Sequence, residues 1–175
     1  MRFDFFGDID MAVMVNVITK LPRSYLIALG DIAVNWATLE WNVEHIIWLL
    51  LNLGPKEGRI VTVPMSMKPK LETLTLLAER CVKNEKYRNN VIKFCKAVTL
   101  TSDIRNKVTH GVWARLPGKP RSFFVIWARG AGKNRILPQR FAMTAKKLEE
   151  IKHLIVGHNI YASAIRQTLS TEQNP

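Results

Sequence analysis

The chain has 175 residues, a net charge of +12 from 26 Lys and Arg against 14 Asp and Glu, and a pI near 10.1. A domain of this length buries a core without disulfides or a structural metal, and a hydrophobic content of 47% excludes a disordered tail protein. The basic excess favours a polyanionic partner, either nucleic acid or an acidic membrane surface. The two cysteines form no C-x-x-C pattern, so neither a zinc ribbon nor a disulfide framework is expected, and a reducing compartment is indicated.

Neither a targeting segment nor a membrane span is expected. The first ten residues, MRFDFFGDID, contain three Asp where a signal peptide needs positive charge. The longest apolar run, at 46–51, is far shorter than the roughly 20 residues that a membrane helix requires. We therefore expect a soluble cytoplasmic protein with no membrane partner.

Helical patterns dominate the first part of the chain. Residues 9–20 fit a short helix or a docking segment. Gly54 followed by Pro55 ends the first long helix, and a loop over 55–68 separates it from a second helix that begins at Pro69. The periodicity of apolar residues predicts helices over residues 24–53, 69–83 and 85–109.

A segment rich in strand-forming residues follows. Residues 112–116 and 122–127 flank the sequence Pro-Gly-Lys-Pro at 117–120, a pattern typical of a β-hairpin. A second turn at 130–133 leads to a third short strand near Ile136.

The chain returns to a helical pattern at its end. Thr144 is the expected N-cap of a last helix that runs to about Leu169. The sequence thus predicts one mainly α domain over 1–175. It is a four-helix bundle with a basic β-hairpin or meander at 112–140, inserted between the third and last helices.

Positive charge is concentrated in and around this insert. From Arg105 to Arg140 there are nine basic residues and no acid. Such a stretch fits a surface for backbone phosphates, although a solvated insert has the same composition. The aromatic residues of the insert are expected to pack it onto the bundle rather than to stack on bases. The expected nucleic-acid-binding residues are Lys107, Arg115, Lys119, Arg121, Arg129, Lys133 and Arg135.

Two opposite charges fall on helix faces that should be buried. Glu40 lies roughly 40° from Trp36 on the apolar stripe of the first helix, and Arg105 lies roughly 20° from Phe94 on that of the third. Because an unpaired buried charge is costly, the simplest partner of each is the other, or a residue across an oligomer interface. A bundle-specifying salt bridge explains the pair structurally, and a rotated helix would leave one of them at the surface.

The segment RNKVTHG at residues 105–111 contains the candidate catalytic residues. It places a guanidinium, an amide and an imidazole at the end of a helix, and Gly111 allows a sharp turn by which His110 can leave helical geometry. Arg105 offers a planar donor fork that fits a phosphate, and the imidazole of His110 can take or give a proton. Asn106 can bind a phosphate oxygen or orient the imidazole. These groups suffice to cleave RNA without a metal, because a base can activate the 2′-hydroxyl and a cation can stabilise the charge on phosphorus.

This segment resembles the R-x(4–6)-H signature of the HEPN superfamily, in the form in which a polar residue follows the Arg. Here the spacing is R-x4-H with Asn106 in the polar position, and the predicted bundle resembles the HEPN helical layout. The resemblance implies a homodimer in which two such motifs meet in a composite ribonuclease site. Arg105 would contact the phosphate, His110 would act as base or acid, and Asn106 would position them. Glu40 is outside the signature, and we assign it a supporting role from its helix face.

The resemblance also implies partners and alternatives. Members serve as toxins of toxin–antitoxin systems, in phage defence or in RNA processing, so RNA and an antitoxin protein are the expected partners. Other members bind nucleotides or RNA without catalysis. A third interpretation is a structural dimer in which a Glu40–Arg105 pair only sets the helix register.

Other motifs are weaker. The stretch GAGKN at 130–134 lacks the first glycine and the Ser or Thr of a phosphate-binding loop, and we reject it. His153 and His158 have no neighbouring acid or cysteine that would complete a metal site. Neither a metal nor another cofactor is therefore expected.

Overall fold

The computed structural model describes residues 16–17, 20–115, 123–127 and 139–173 of the chain. Five helices and four strands occupy these ranges. In chain order they are β1 (Asn16–Val17), α1 (Arg23–Leu51), α2 (Pro55–Thr62), α3 (Met67–Cys81), α4 (Glu85–His110), β2 (Val112–Arg115), β3 (Phe123–Trp127), β4 (Gln139–Met143) and α5 (Ala145–Gln173). The fold is mainly helical, and none of the described helices is long and apolar enough to cross a membrane.

The ends of the long helices follow local chemistry. The side chain of Asn84 accepts a hydrogen bond from the Tyr87 amide at 3.2 Å, which caps the start of α4. Thr144 does the same for α5, because its hydroxyl accepts from the Lys147 amide at 3.2 Å. The prediction of Thr144 as an N-cap is confirmed. At the end of α1, Asn52 adopts the left-handed conformation with φ 53°.

The four long helices enclose one core. Helix α1 packs against α3 and α5, and α4 packs against the same two neighbours, so the four helices surround a shared interior. A polar bridge crosses the α1–α5 contact: the buried Asn42 amide donates to the Asn159 side chain at 3.2 Å, which donates to the Asn35 carbonyl at 2.8 Å. The core is formed by fully buried residues of all four helices, including Ile32, Leu39, Leu74, Val98 and Ile155.

The strands form one antiparallel sheet: β2, β3 and β4 lie between α4 and α5 in the chain, and β1 precedes α1. Strand β3 lies between β2 and β4, and the two-residue β1 pairs with the outer edge of β2. Tyr25 of α1 joins the sheet to the bundle. Its ring centroid lies 4.9 Å from that of Phe123 and 5.9 Å from that of Trp113, and its hydroxyl donates to the Met143 carbonyl at 3.3 Å. Packing of these insert aromatics onto the bundle, as predicted, is confirmed.

The predicted loop over 55–68 is wrong in its first half, because Pro55–Thr62 is a helix. Pro55 occupies the first turn, where its missing N–H is not needed. The indole of Trp48 donates to the Thr62 hydroxyl at 3.2 Å, and that hydroxyl donates to the Gly58 carbonyl at 3.0 Å. A Cβ at Gly58 would overlap the indole. Docking on Trp48 thus stabilises a helix that is too short to be read from periodicity.

Two further predictions can be compared with the structure in part. The insert has a third strand at Gln139–Met143, and the position near Ile136, where it was expected, lies outside the described residues. Asn16 and Val17 form a strand, so the helical interpretation of 9–20 is wrong at these positions. Both strands are short edge segments selected by pairing with a neighbour, which local sequence does not encode. The turns expected at 117–120 and 130–133 lie outside the described residues.

Candidate functional site at the end of helix α4

The last turns of α4 bring the three motif side chains together. The Nη1 atom of Arg105 donates a hydrogen bond of 3.1 Å to Oδ1 of Asn106 and makes a longer contact of 3.4 Å with Nε2 of His110. Because the three residues lie within two helical turns, one protomer is sufficient to assemble them. The structure therefore places guanidinium, amide and imidazole in one cluster.

Arg105 lies between the core and the surface. Its Cζ atom is 5.2 Å from the centroid of the buried Trp36 ring, in cation–π geometry. Its Nε atom is buried and has no hydrogen-bond partner among the described residues. Burial lowers the pKa of the guanidinium, and the negative charge of Glu40 opposes this effect. The side chain thus presents Nη1 to the motif while Nε remains inside.

His110 is exposed and its tautomer is determined by its neighbour. Arginine can only donate hydrogen bonds, so the contact with Arg105 requires an unprotonated Nε2 on His110. The lone pair of Nε2 thus points at Nη1 of Arg105, and it becomes available to a substrate hydroxyl when Nη1 turns to a phosphate.

Gly111 ends α4, but not by the sharp turn we expected. His110 is the last residue of the helix, and Gly111 has extended backbone angles with φ −77° and ψ 158°. A Cβ at position 111 would overlap the side chain of Val125 and the carbonyl oxygen of Lys107. Glycine is thus required because β3 lies directly against the helix end. The prediction that His110 leaves helical geometry is wrong.

The prediction that Glu40 and Arg105 are paired is also wrong. The Glu40 carboxylate instead accepts a hydrogen bond of 2.6 Å from Nζ of Lys70 on α3, and Glu44 accepts a second one of 2.6 Å. Lys70 is only 3% exposed. Burial favours a lower pKa for Lys70, but its bonds to the two carboxylates outweigh burial and raise the pKa. The supporting residue Glu40 therefore belongs to an ionic cluster beside the site.

Sequence reasoning missed Lys70, although a signal was present. Lys70 lies on the buried face of α3 with Met67, Leu71, Leu74 and Ala78. These positions follow helical periodicity, so a lysine among them needs an acidic partner. The test that identified Glu40 and Arg105 would have identified this lysine too.

The described basic residues have mixed environments. Nζ of Lys107 lies 4.3 Å from the centroid of the Phe141 ring on β4, so this cation contacts the sheet. Arg115 is at the end of β2, where it is paired in register with Phe123 of β3. The remaining predicted nucleic-acid-binding residues, Lys119, Arg121, Arg129, Lys133 and Arg135, lie outside the described residues.

Two further titratable groups of the described residues, His158 and Cys95, have buried environments of their own. His158 bonds Thr101 through Nε2 at 2.9 Å, and burial lowers its pKa. Burial also raises the pKa of the Cys95 thiol to about 11, which makes it a poor nucleophile. Across the described part of the chain, no three His, Cys, Asp or Glu side chains are grouped so that they could hold a metal ion.

Comparisons with protein-family models, with curated proteins and with solved structures give no significant match to this chain.

Proposed function

We propose that the protein is a metal-independent cytoplasmic endoribonuclease of the HEPN type. The observation that carries the proposal is the contact of one Arg105 nitrogen with both Asn106 and His110. These side chains supply a phosphate donor and a base within one cluster, and they stand at the spacing of the R-x4-H signature. A role as a toxin with an antitoxin partner, or in phage defence, belongs to the same proposal.

In the proposed reaction, His110 and Arg105 have one role each. Nε2 of His110 accepts the proton of a ribose 2′-hydroxyl, whose oxygen attacks the adjacent phosphorus. Arg105 stabilises the negative charge that grows on the phosphoryl oxygens. The 5′-oxygen leaves with a proton, so the products are a 2′,3′-cyclic phosphate and a 5′-hydroxyl. DNA lacks the nucleophile and is not cleaved.

A second protomer completes the site in this proposal. Transesterification needs a base for the 2′-hydroxyl and an acid for the leaving oxygen, and the motif of one chain contains a single imidazole. In a homodimer with the two α4 ends facing one cleft, the second His110 supplies the acid.

The direct test is cleavage of an RNA oligonucleotide in EDTA by variants of the cluster. We expect His110→Ala to lower kcat by about 10²- to 10⁴-fold, as for the loss of a general base. Arg105→Ala should lower kcat by about 10²- to 10³-fold, as for the loss of a transition-state donor. An all-2′-O-methyl version of the substrate should remain intact.

The chain offers a matched control for each variant. Arg166 is half-buried with its Cζ atom 4.9 Å from the Trp41 ring centroid, as Arg105 is over Trp36, and His153 is an exposed helical histidine. Arg166→Ala and His153→Ala should cleave at the wild-type rate. Wild-type cleavage by both Arg105→Ala and His110→Ala would refute the proposed chemistry.

The basic stretch favours one alternative, an RNA- or nucleotide-binding module without turnover. Nine basic residues and no acid between Arg105 and Arg140 suit contacts with phosphates. In this case affinity for RNA should fall by about tenfold or more as salt rises from about 50 to about 200 mM. Filter binding with a 2′-O-methyl oligonucleotide measures it. Salt-independent affinity would argue against a phosphate-binding surface, and salt-dependent binding by a protein that never cleaves RNA would favour the alternative.

A further inference from the structure

A buried lysine lies between two carboxylates on the side of α1 that also faces the candidate site. Lys70 of α3 is 3% exposed, and its Nζ atom is 2.6 Å from a carboxylate oxygen of Glu40 and 2.6 Å from one of Glu44. Glu40 and Glu44 are one turn apart on α1. Two partly buried carboxylates so close together would repel each other, and the lysine between them offsets this repulsion and holds both in place.

Arg105 of α4 lies against the same helix α1, through its contact with Trp36. Trp36, over which the guanidinium lies, precedes Glu40 by one turn of α1, while Glu44 is a further turn away. Among the described residues, the buried Nε–H of Arg105 has no hydrogen-bond acceptor. Glu40 is therefore the acid placed to compete for Arg105, and Arg–carboxylate pairs are among the strongest hydrogen-bonded contacts in proteins.

We propose that Lys70 is a positioning residue that holds the Glu40 carboxylate away from Arg105 and so keeps the guanidinium free for a phosphate. The role in RNA cleavage rests on the proposed function, whereas the competition between Lys70 and Arg105 for Glu40 does not. If Lys70 loses its charge, Glu40 pairs with Arg105. The carboxylate then neutralises the guanidinium, which attracts a phosphoryl oxygen less strongly.

Two double variants with the same charge test this competition. Lys70→Met combined with Glu44→Gln leaves Glu40 as the remaining acid, next to Arg105. Lys70→Met combined with Glu40→Gln leaves Glu44, one turn further from Trp36. Each removes one cation and one anion from the same cluster. Because Glu44 is the more buried of the two acids, a purely structural role of Lys70 would weaken the variant that keeps Glu44 at least as much as the other. The doubles also avoid the two uncompensated acids of Lys70→Met alone, which could prevent folding.

The first measurement is RNA cleavage at matched folding, checked by circular dichroism. We expect the variant that keeps Glu40 to have a kcat about a hundredfold lower than the variant that keeps Glu44, because it loses the Arg105 donor. Inorganic phosphate should also inhibit it more weakly. Equal kcat and equal inhibition in the two doubles would overturn the proposal.

The second measurement does not depend on catalysis. Arg105→Ala is added to each double, and the unfolding midpoint in urea is measured. The midpoint should fall more in the background that keeps Glu40, because only there does Arg105 form an ion pair. An equal fall in both backgrounds would refute the competition. If no protein cleaves RNA, wild type included, the proposed function fails while this comparison still decides the role of Lys70.

Discussion

At the scale of single residues, Arg105 has a structural cost that its contacts offset only in part. A buried donor without a partner costs about 1–3 kcal/mol, and Nε of Arg105 is such a donor within the described structure. The cation–π contact with Trp36 offsets part of this cost. An apolar residue would fill the same space without an orphan donor. Folding alone therefore does not explain an arginine at this position, which is consistent with a role at the surface side of the guanidinium.

His158 is a second residue whose environment has a measurable consequence. Its Nε2 is 2.9 Å from the Thr101 hydroxyl, which itself donates to the Ala97 carbonyl at 3.1 Å. The hydroxyl has used its proton, so Nε2 of His158 must donate. The edge of the ring also faces Phe94, with centroids 6.2 Å apart. Burial against these neighbours lowers the pKa of His158 from its ordinary 6.5.

This shift predicts acid destabilisation of the fold. Above pH 6.5 the histidine is neutral in both the folded and the unfolded chain and contributes no pH dependence. As pH falls below 6.5, the unfolded chain binds the proton first, so the free energy of unfolding decreases until the lowered native pKa is reached. Urea unfolding from about pH 7 to about pH 5 should show a shallower loss for His158→Gln than for wild type. The exposed His153→Gln should follow the wild-type curve, and identical slopes for all three proteins would contradict the assignment.

At the scale of elements, α2 depends on its docking site. Its eight residues are too few for a stable isolated helix. The hydrogen-bonded chain from the Trp48 indole through the Thr62 hydroxyl to the Gly58 carbonyl fixes it on α1. Helix α2 therefore behaves as an attachment to α1 rather than as an independent unit.

Removing the hydroxyl of Thr62 tests this dependence. Thr62→Val preserves the shape but leaves the buried indole N–H without a partner, so the free energy of unfolding should fall by about 1–3 kcal/mol. Amide hydrogen exchange should accelerate first in α2. Thr38→Val is the matched control, because its hydroxyl also bonds the carbonyl four residues earlier but is exposed. A loss no larger than that of Thr38→Val would show that α2 does not rely on this contact.

At the scale of the whole molecule, the proposed site needs two copies of α4. Helix α4 has an outward apolar surface, on which Leu100 is 69% and Ile104 is 40% exposed. Leu100 is less than three turns before His110 on the same helix. A dimer formed through this surface with its two α4 helices parallel would bring the two α4 ends, and hence the two imidazoles, close to each other.

Sedimentation equilibrium should give twice the 20.0 kDa mass of the chain. Leu100→Glu should weaken this dimer and reduce RNA cleavage in parallel, because a charge would be buried in the interface. Leu76→Glu is the control: it changes an equally exposed leucine, 63% accessible, on α3. A monomer with full activity, or a dimer equally sensitive to both changes, would contradict a site shared across α4.

The helices that could be predicted are those with their own periodic pattern. Residues 24–53, 69–83, 85–109 and 144–169 correspond to α1, α3, α4 and α5 with ends that differ by a few residues. Their apolar faces, caps and stop residues are all local. The two-residue β1, the eight-residue α2 and the exact place of β4 depend on a partner strand or on Trp48. Local sequence contains too little information to locate such segments.

The candidate site also has a part that could be predicted from local sequence and a part that could not. Arg105, Asn106 and His110 were predictable as a group because they lie within two turns of one helix and the long arginine side chain reaches the other two. The environment of Arg105 could be predicted only in part. Its inward direction follows from the helix period, but its contact with Trp36 does not, and neither does the contact of Glu40 with Lys70. Periodicity alone leaves several residues of α1, α3 and α4 as possible partners of each charge.

What the sequence determined by itself was therefore the set of long helices, the basic segment beside them and the local grouping of the R-x4-H side chains. Each of these depends on spacing along the chain. Only the tertiary structure decided that Lys70 bonds Glu40 and Glu44, that Arg105 lies over Trp36, and that β3 requires a glycine after His110. Those contacts join residues that are distant in the chain, and their pairing follows from how the helices and the sheet pack against one another.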